Sequence, residues 1–118
     1  ARSGRDPSAA STAVLRPAHS EEQVTTAVRV HVIQPRSFND AQQIADRFKN
    51  GVPVIVNLQL SEPELSKRLI DFGSGLTYAL DGGMQRIAEK VFLLTPKNVE
   101  VSAEDRQRLV EQGFFNPA

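Results

Sequence analysis

The chain has 118 residues, enough for one domain with a modest core and too few for two. Its 14 basic and 14 acidic residues balance; with no basic stripe to neutralise phosphates, nucleic acid is not an expected partner. There is no cysteine, which removes disulfides, thiol nucleophiles and cysteine metal sites, and no apolar run approaches the roughly 20 residues that span a bilayer.

The chain begins at Ala1 rather than at a methionine, so a piece excised from a longer protein is expected. Residues 1–26 are mostly Ala, Ser, Thr, Arg, Pro and acidic residues, with Val14 and Leu15 the large apolar exceptions. Two such residues cannot offset the ordering entropy of 26, so this segment reads as a flexible linker leading into a domain over 27–118.

The domain opens with VRVHVI (28–33), which alternates through Val28, Val30 and Val32 as a strand and turns His31 to its polar side. After Pro35, Ser37 can cap a helix with Asp40 at the third position. Phe38, Ala41, Ile44, Ala45 and Phe48 then form one helical stripe, which Lys49, Asn50 and Gly51 end. VPVIVNLQL (52–60) reads as a strand covered on both faces. Connections this short make a βαβ unit with parallel strands, and Pro53 needs an edge position or the strand's start to be tolerated.

Ser61 with Glu64 forms the pattern of a capping box, with Pro63 in the first turn. Leu65, Leu69, Phe72, Leu76 and Ala79 or Leu80 continue at helical spacing. Inside this helix Gly73 and Gly75 should each cost up to about 1 kcal/mol relative to alanine. Gly75 and Ala79 lie four apart on one face, which lets another helix approach closely. Packing against the protein's own sheet would explain the glycines equally well.

Asp81-Gly82-Gly83 follow a helix and precede a strand, the reverse of a phosphate-cradling loop, so they read as a left-handed helix cap. MQRIA and VFLLTP then form a hairpin centred on Glu89, whose paired residue numbers sum to 178. That register sets Arg86 opposite Phe92 and Met84 opposite Leu94, on one face. Asn98–Val101 could add a short edge strand, and a last helix (102–113) starts at Ser102, capped with Asp105. The expected fold is α/β: a compact two-layer sandwich in the order β-α-β-α-β-β with a C-terminal helix.

No catalytic constellation emerges. His19 and His31 lie apart and no metal-ligand spacing occurs, so neither a metal nor a cofactor is expected. Glu62 and Glu64 sit where the helix dipole alone favours acids. The notable feature is Arg86 beside Phe92, a carboxylate-holding cation next to an aromatic anchor. Alternatively Phe92 belongs to the core and Arg86 is a solvated edge residue.

Three stretches together resemble the SepF family of bacterial cell-division proteins: VRVHVIQPRSFNDAQQIADRFKNG, VPVIVNLQ and RLIDFGSGLTYALDGGMQRIAEKVFLLTPKNVEVS. The likeness covers about residues 28–101, and the C-terminal EQGFF is similar to that of actinobacterial-type members. The resemblance implies a non-enzymatic adaptor that assembles as a homodimer, with higher polymers left open. It implies a partner, the C-terminal tail of the tubulin-like division protein FtsZ. It also implies a place in the cytoplasm at the division site, on the inner face of the membrane. In the family an N-terminal amphipathic helix reaches the membrane; residues 1–26 correspond to the linker after it, so this chain itself should not bind membrane.

Carried onto this sequence, the resemblance assigns Arg86 and Phe92 to the tail site, with Met84 and Leu94 as apolar neighbours. It places Gly75 in a self-association helix, whose face would include Phe72, Leu76 and Ala79. A rival from another class is a dimeric regulatory α/β domain that binds a small ligand. A deep enclosed pocket at a helix N-terminus would favour that rival, and a shallow groove at the hairpin would favour peptide binding.

Overall fold

The computed structural model describes residues 12–15, as backbone, and residues 28–112. Strand β1 (Thr12–Leu15) lies inside the segment read as a linker and pairs antiparallel with β2 (Val28–Ile33). Val14 and Leu15, the apolar pair that stood out in that segment, fall within it. The rest of 1–26, His19 included, lies outside the described residues.

A 3-10 turn (Phe38–Asp40) leads into α1 (Ala41–Lys49). Asp40 Oδ2 accepts the main-chain N–H of Arg36 at 2.7 Å and of Ser37 at 3.3 Å, so an acid at this position holds the helix entry. Gly51 leaves the helix at φ 83, a left-handed conformation that suits glycine. Strand β3 (Val54–Asn57) runs parallel to β2, as the short connections required. Asn57 Oδ1 accepts the Gln59 N–H at 2.9 Å and turns the chain out of the strand.

Helix α2 spans Pro63–Ala79. The capping box expected from Ser61 and Glu64 does not form. Ser61 is buried and its hydroxyl donates instead to the Pro35 carbonyl at 2.9 Å, while Glu62 occupies the cap without a side-chain bond. Pro35 is itself buried, and a buried carbonyl needs a donor more than a solvated helix end does.

The far end of α2 closes with two bonds, Gly82 N–H to Thr77 O (2.7 Å) and Asp81 N–H to Tyr78 O (3.4 Å). This is a Schellman closure, and its left-handed residue is Asp81 at φ 60 rather than a glycine. Gly82 is required for a different reason. A Cβ there would collide with the Phe48 ring and the Thr95 carbonyl oxygen, because α1 and the last strand close on this point.

Strands β4 (Gly83–Ala88) and β5 (Val91–Thr95) form the expected antiparallel hairpin. The register holds from Gly83↔Thr95 to Arg86↔Phe92 and then shifts by a bulge before Ala88↔Val91, where Glu89 and a left-handed Lys90 (φ 61) make the turn. Asn98–Val101 is not a strand. Asn98 is left-handed (φ 66) and Val99 N–H returns to Pro96 O, which makes this stretch a turn. Helix α3 (Ala103–Gln112) follows, capped by Ser102 Oγ, which accepts the Asp105 N–H at 3.0 Å.

The sheet order is β1-β2-β3-β5-β4, which leaves β4 at an edge. One face carries Ile33, Val54, Val56 and Leu94 against Ile44, Phe48 and Leu69, so α1 and α2 form the second layer of the sandwich. The other face carries Val30, Val32, Ile55, Val91 and Leu93, joined by Val101 and, from α3, Leu109. The C-terminal helix therefore covers part of the face that α1 and α2 leave open.

Candidate functional site

The hairpin carries the four residues singled out for tail binding at the registers expected: Arg86 across from Phe92 and Met84 across from Leu94. Their depths differ. Arg86 is exposed, Met84 and Phe92 are half-buried, and Leu94 is 1% exposed and belongs to the core. The cause is the placement of α2, whose Gly73 and Ser74 lie against Met84 and whose helix roofs the Met84–Leu94 pair. Phe92 packs on the core between sheet and α2 and still stands half-open next to Arg86, a position compatible with either sequence reading. Among the described residues no carboxylate lies in ion-pair range of the Arg86 guanidinium.

Behind this patch, α2 and the hairpin enclose a cavity of about 10 Å³ lined by apolar residues including Leu69, Ile70, Gly73, Met84, Phe92 and Leu94. That is room for one water at most, and small-ligand pockets run to at least about 300 Å³. A depression of about 410 Å³ does lie at the N-terminus of α3, between Gln85, Leu93, Val101 and Arg106, but it is an open groove rather than an enclosed pocket.

The four residues proposed for self-association separate into two pairs. Phe72 and Leu76 pack inward against the core, and Phe72 meets Phe38 edge-on with centroids 5.8 Å apart. Arg68 stacks its guanidinium 4.2 Å above the other ring of that pair, Phe38. Gly75 and Ala79 face solvent, and a Cβ at Gly75 would meet nothing within 4 Å. Gly73 is the glycine turned to the protein's own sheet, where a Cβ would sit 3.4 Å from Met84 Sδ and 3.6 Å from Leu94 Cδ2. Tyr78, which sequence reasoning passed over, is 88% exposed on α2 between Gly75 and Ala79 in sequence. Its spacing of three from Gly75 was the available signal.

His31 does not face a polar side. It is 1% exposed, because α1 folds over the face of β2 opposite Val30 and Val32. Neither ring nitrogen has a hydrogen-bond partner. Burial is the main force holding its pKa below the usual 6.5; the Arg47 guanidinium adds to this, and the Gln43 side chain works against it. Gln43 Oε1 is likewise buried without a bond, so these neighbours are close without being joined in good geometry. Among the described residues no three His, Asp or Glu side chains gather to hold a metal ion, and no helix is long and apolar enough to cross a membrane.

Comparison with known proteins adds an independent line. A family model described as "Cell division protein SepF" matches residues 30–101. A cell division protein SepF from Rubrobacter xylanophilus is 61% identical over 88 residues, covering 75% of this chain and 47% of that protein. One from Acidothermus cellulolyticus is 50% identical over 95 residues, covering 80% of this chain and 54% of its own length. One from Desulfitobacterium hafniense is 45% identical over 97 residues, covering 82% and 62%. The chain thus spans about half the length of the relatives it matches. Among solved structures, a SepF-like protein from Archaeoglobus fulgidus superposes with a TM-score of 0.57 at 16% identity, over 63% of this chain and 92% of that one, a likeness of fold alone.

Proposed function

This chain belongs to the SepF family of cell-division proteins, and from that premise we propose that its α/β core is an adaptor for the C-terminal tail of FtsZ. The observation that carries the reading is the exposed guanidinium of Arg86, free of any ion pair among the described residues, directly across the hairpin from half-buried Phe92. A short peptide with an acidic residue beside apolar ones matches that pairing: Arg86 holds the carboxylate, Phe92 and Met84 receive apolar side chains, and Leu94 backs them from the core. The outward face of α2, with Gly75, Ala79 and Tyr78, is where a second copy approaches to make a homodimer, while Phe72 and Leu76 support that face from within. Two tail sites per dimer raise avidity for an FtsZ filament without new contacts. In the full-length protein the assembly is linked to the inner face of the membrane at the division site.

Titrating an FtsZ tail peptide against wild type, Arg86→Glu and Phe92→Ala tests the site. Loss of a charged hydrogen bond or of an aromatic anchor weakens binding about tenfold or more in each variant. Undiminished affinity in both would refute the assignment.

A further inference from the structure

Gly73 presents a puzzle that the proposed tail site does not absorb. It sits mid-helix, where glycine is disfavoured, yet a Cβ there would meet only ordinary contacts, the nearest being Met84 Sδ at 3.4 Å and Met84 Cε at 3.5 Å. The atoms it makes room for are the far end of a flexible thioether. Ser74 Oγ lies 3.7 Å from the same sulfur, a weak hold, and the cavity of about 10 Å³ is continuous with this spot. Methionine, unbranched and with three rotatable bonds, is the side chain best able to move in such a place.

We propose that Met84 is a movable gate over an apolar subsite between α2 and the hairpin. A branched aliphatic side chain of the docked tail enters the space that Met84 leaves, and Gly73 sets the depth available to it. This rests on the reading of Arg86 and Phe92 as the tail site and adds what that site selects. The subsite is floored by Leu94 and walled by Leu69, Ile70 and Phe92, so it takes a Leu- or Ile-like residue and rejects a polar one. Burial of one such side chain is worth roughly a ten- to hundredfold gain in affinity.

Met84 is the one methionine of the sequence, so a methyl-labelled sample gives a single methionine resonance. The experiment follows that resonance during titration with an FtsZ tail peptide. It also measures affinity for peptides in which each Leu, Ile and Val is replaced in turn by Ala. At saturation the methyl signal moves away from its free position, and one replacement costs about tenfold or more. Gly73→Ala keeps or raises the unfolding midpoint, weakens the native peptide about tenfold and removes most of the penalty at that one position. Met84→Ile, stiff at χ1 and suited to a strand, keeps the gate shut and gives the same loss should the helix variant misfold.

A methyl signal that stays in place while the peptide binds and Arg86→Glu abolishes binding overturns the gate and leaves the tail site intact. Full affinity in both Gly73→Ala and Met84→Ile does the same. Binding indifferent to Arg86→Glu and Phe92→Ala removes the underlying site and this subsite with it.

Discussion

Replacing Gly75 with lysine separates a residue's effect on its own fold from its effect on assembly. A Cβ at Gly75 meets nothing within 4 Å, and the position is exposed, so the single chain has no steric objection to a side chain there. Removing a mid-helix glycine gains about 0.5–1 kcal/mol. The new ammonium stands four residues after exposed Asp71, the favourable order for an ion pair worth about 0.3–0.5 kcal/mol. Together these raise monomer stability by about 1 kcal/mol, or roughly 4–8 °C in midpoint for a domain of this size. If a second copy packs its helix on this face, the same substitution drives a charged stem between two backbones and abolishes the close approach. Gly75→Lys therefore becomes more stable as a monomer and less associated. Thermal unfolding at low concentration reads the first effect, and sedimentation equilibrium across a concentration series reads the second. Wild-type self-association in the variant would refute the interface; a lowered monomer midpoint would refute the reading of Gly75 as open to solvent.

Gly82→Ala forces the Phe48 ring and the Thr95 carbonyl apart, and urea denaturation should register a loss of about 1–3 kcal/mol. Ser102→Ala removes the hydroxyl that accepts the Asp105 N–H and costs about 1 kcal/mol in the same assay, mostly by loosening α3. The His31 pKa is lower in the folded chain than in the unfolded one, so the unfolded state binds more protons in the window below 6.5. Stability attributable to this residue is complete above pH 6.5 and declines as the pH falls through that window towards the folded value. Unfolding curves from pH 7.5 downward, compared between wild type and His31→Leu, should diverge below pH 6.5; parallel curves would count against the buried neutral histidine.

The hairpin register was legible because antiparallel pairing is arithmetic. Once Glu89 is taken as the turn, every partner up to the bulge follows, and Arg86 must face Phe92. Depth was not legible, since it depends on where α2 lies along the hairpin; the helix roofs Met84 and Leu94 and leaves Arg86 uncovered. Gly73 and Gly75 looked alike in the sequence because two helical residues differ by about 200° of rotation, and which one points inward is set by packing. His31 misled for a related reason: alternation assigns it to the face opposite Val30 and Val32, but it does not say that α1 covers that face too. Asn98–Val101 has the alternation of a strand without a neighbour to pair with, and left-handed Asn98 turns the chain instead. The Ser61 capping pattern lost to the Pro35 carbonyl, a partner 26 residues away that no local motif anticipates.

The crowding at Gly82 also governs how this domain can be handled. First and second helices and the fifth strand converge on a residue with no side chain, so the link between α2 and β4 has no room for added length. A reporter or affinity tag spliced at 81–83 would wedge the hairpin off its helix. In the exposed turn between β5 and α3, Lys97 reaches back to this link, its Nζ 3.9 Å from Asp81 Oδ2, so Asn98 is the better place to carry foreign sequence on the domain's surface.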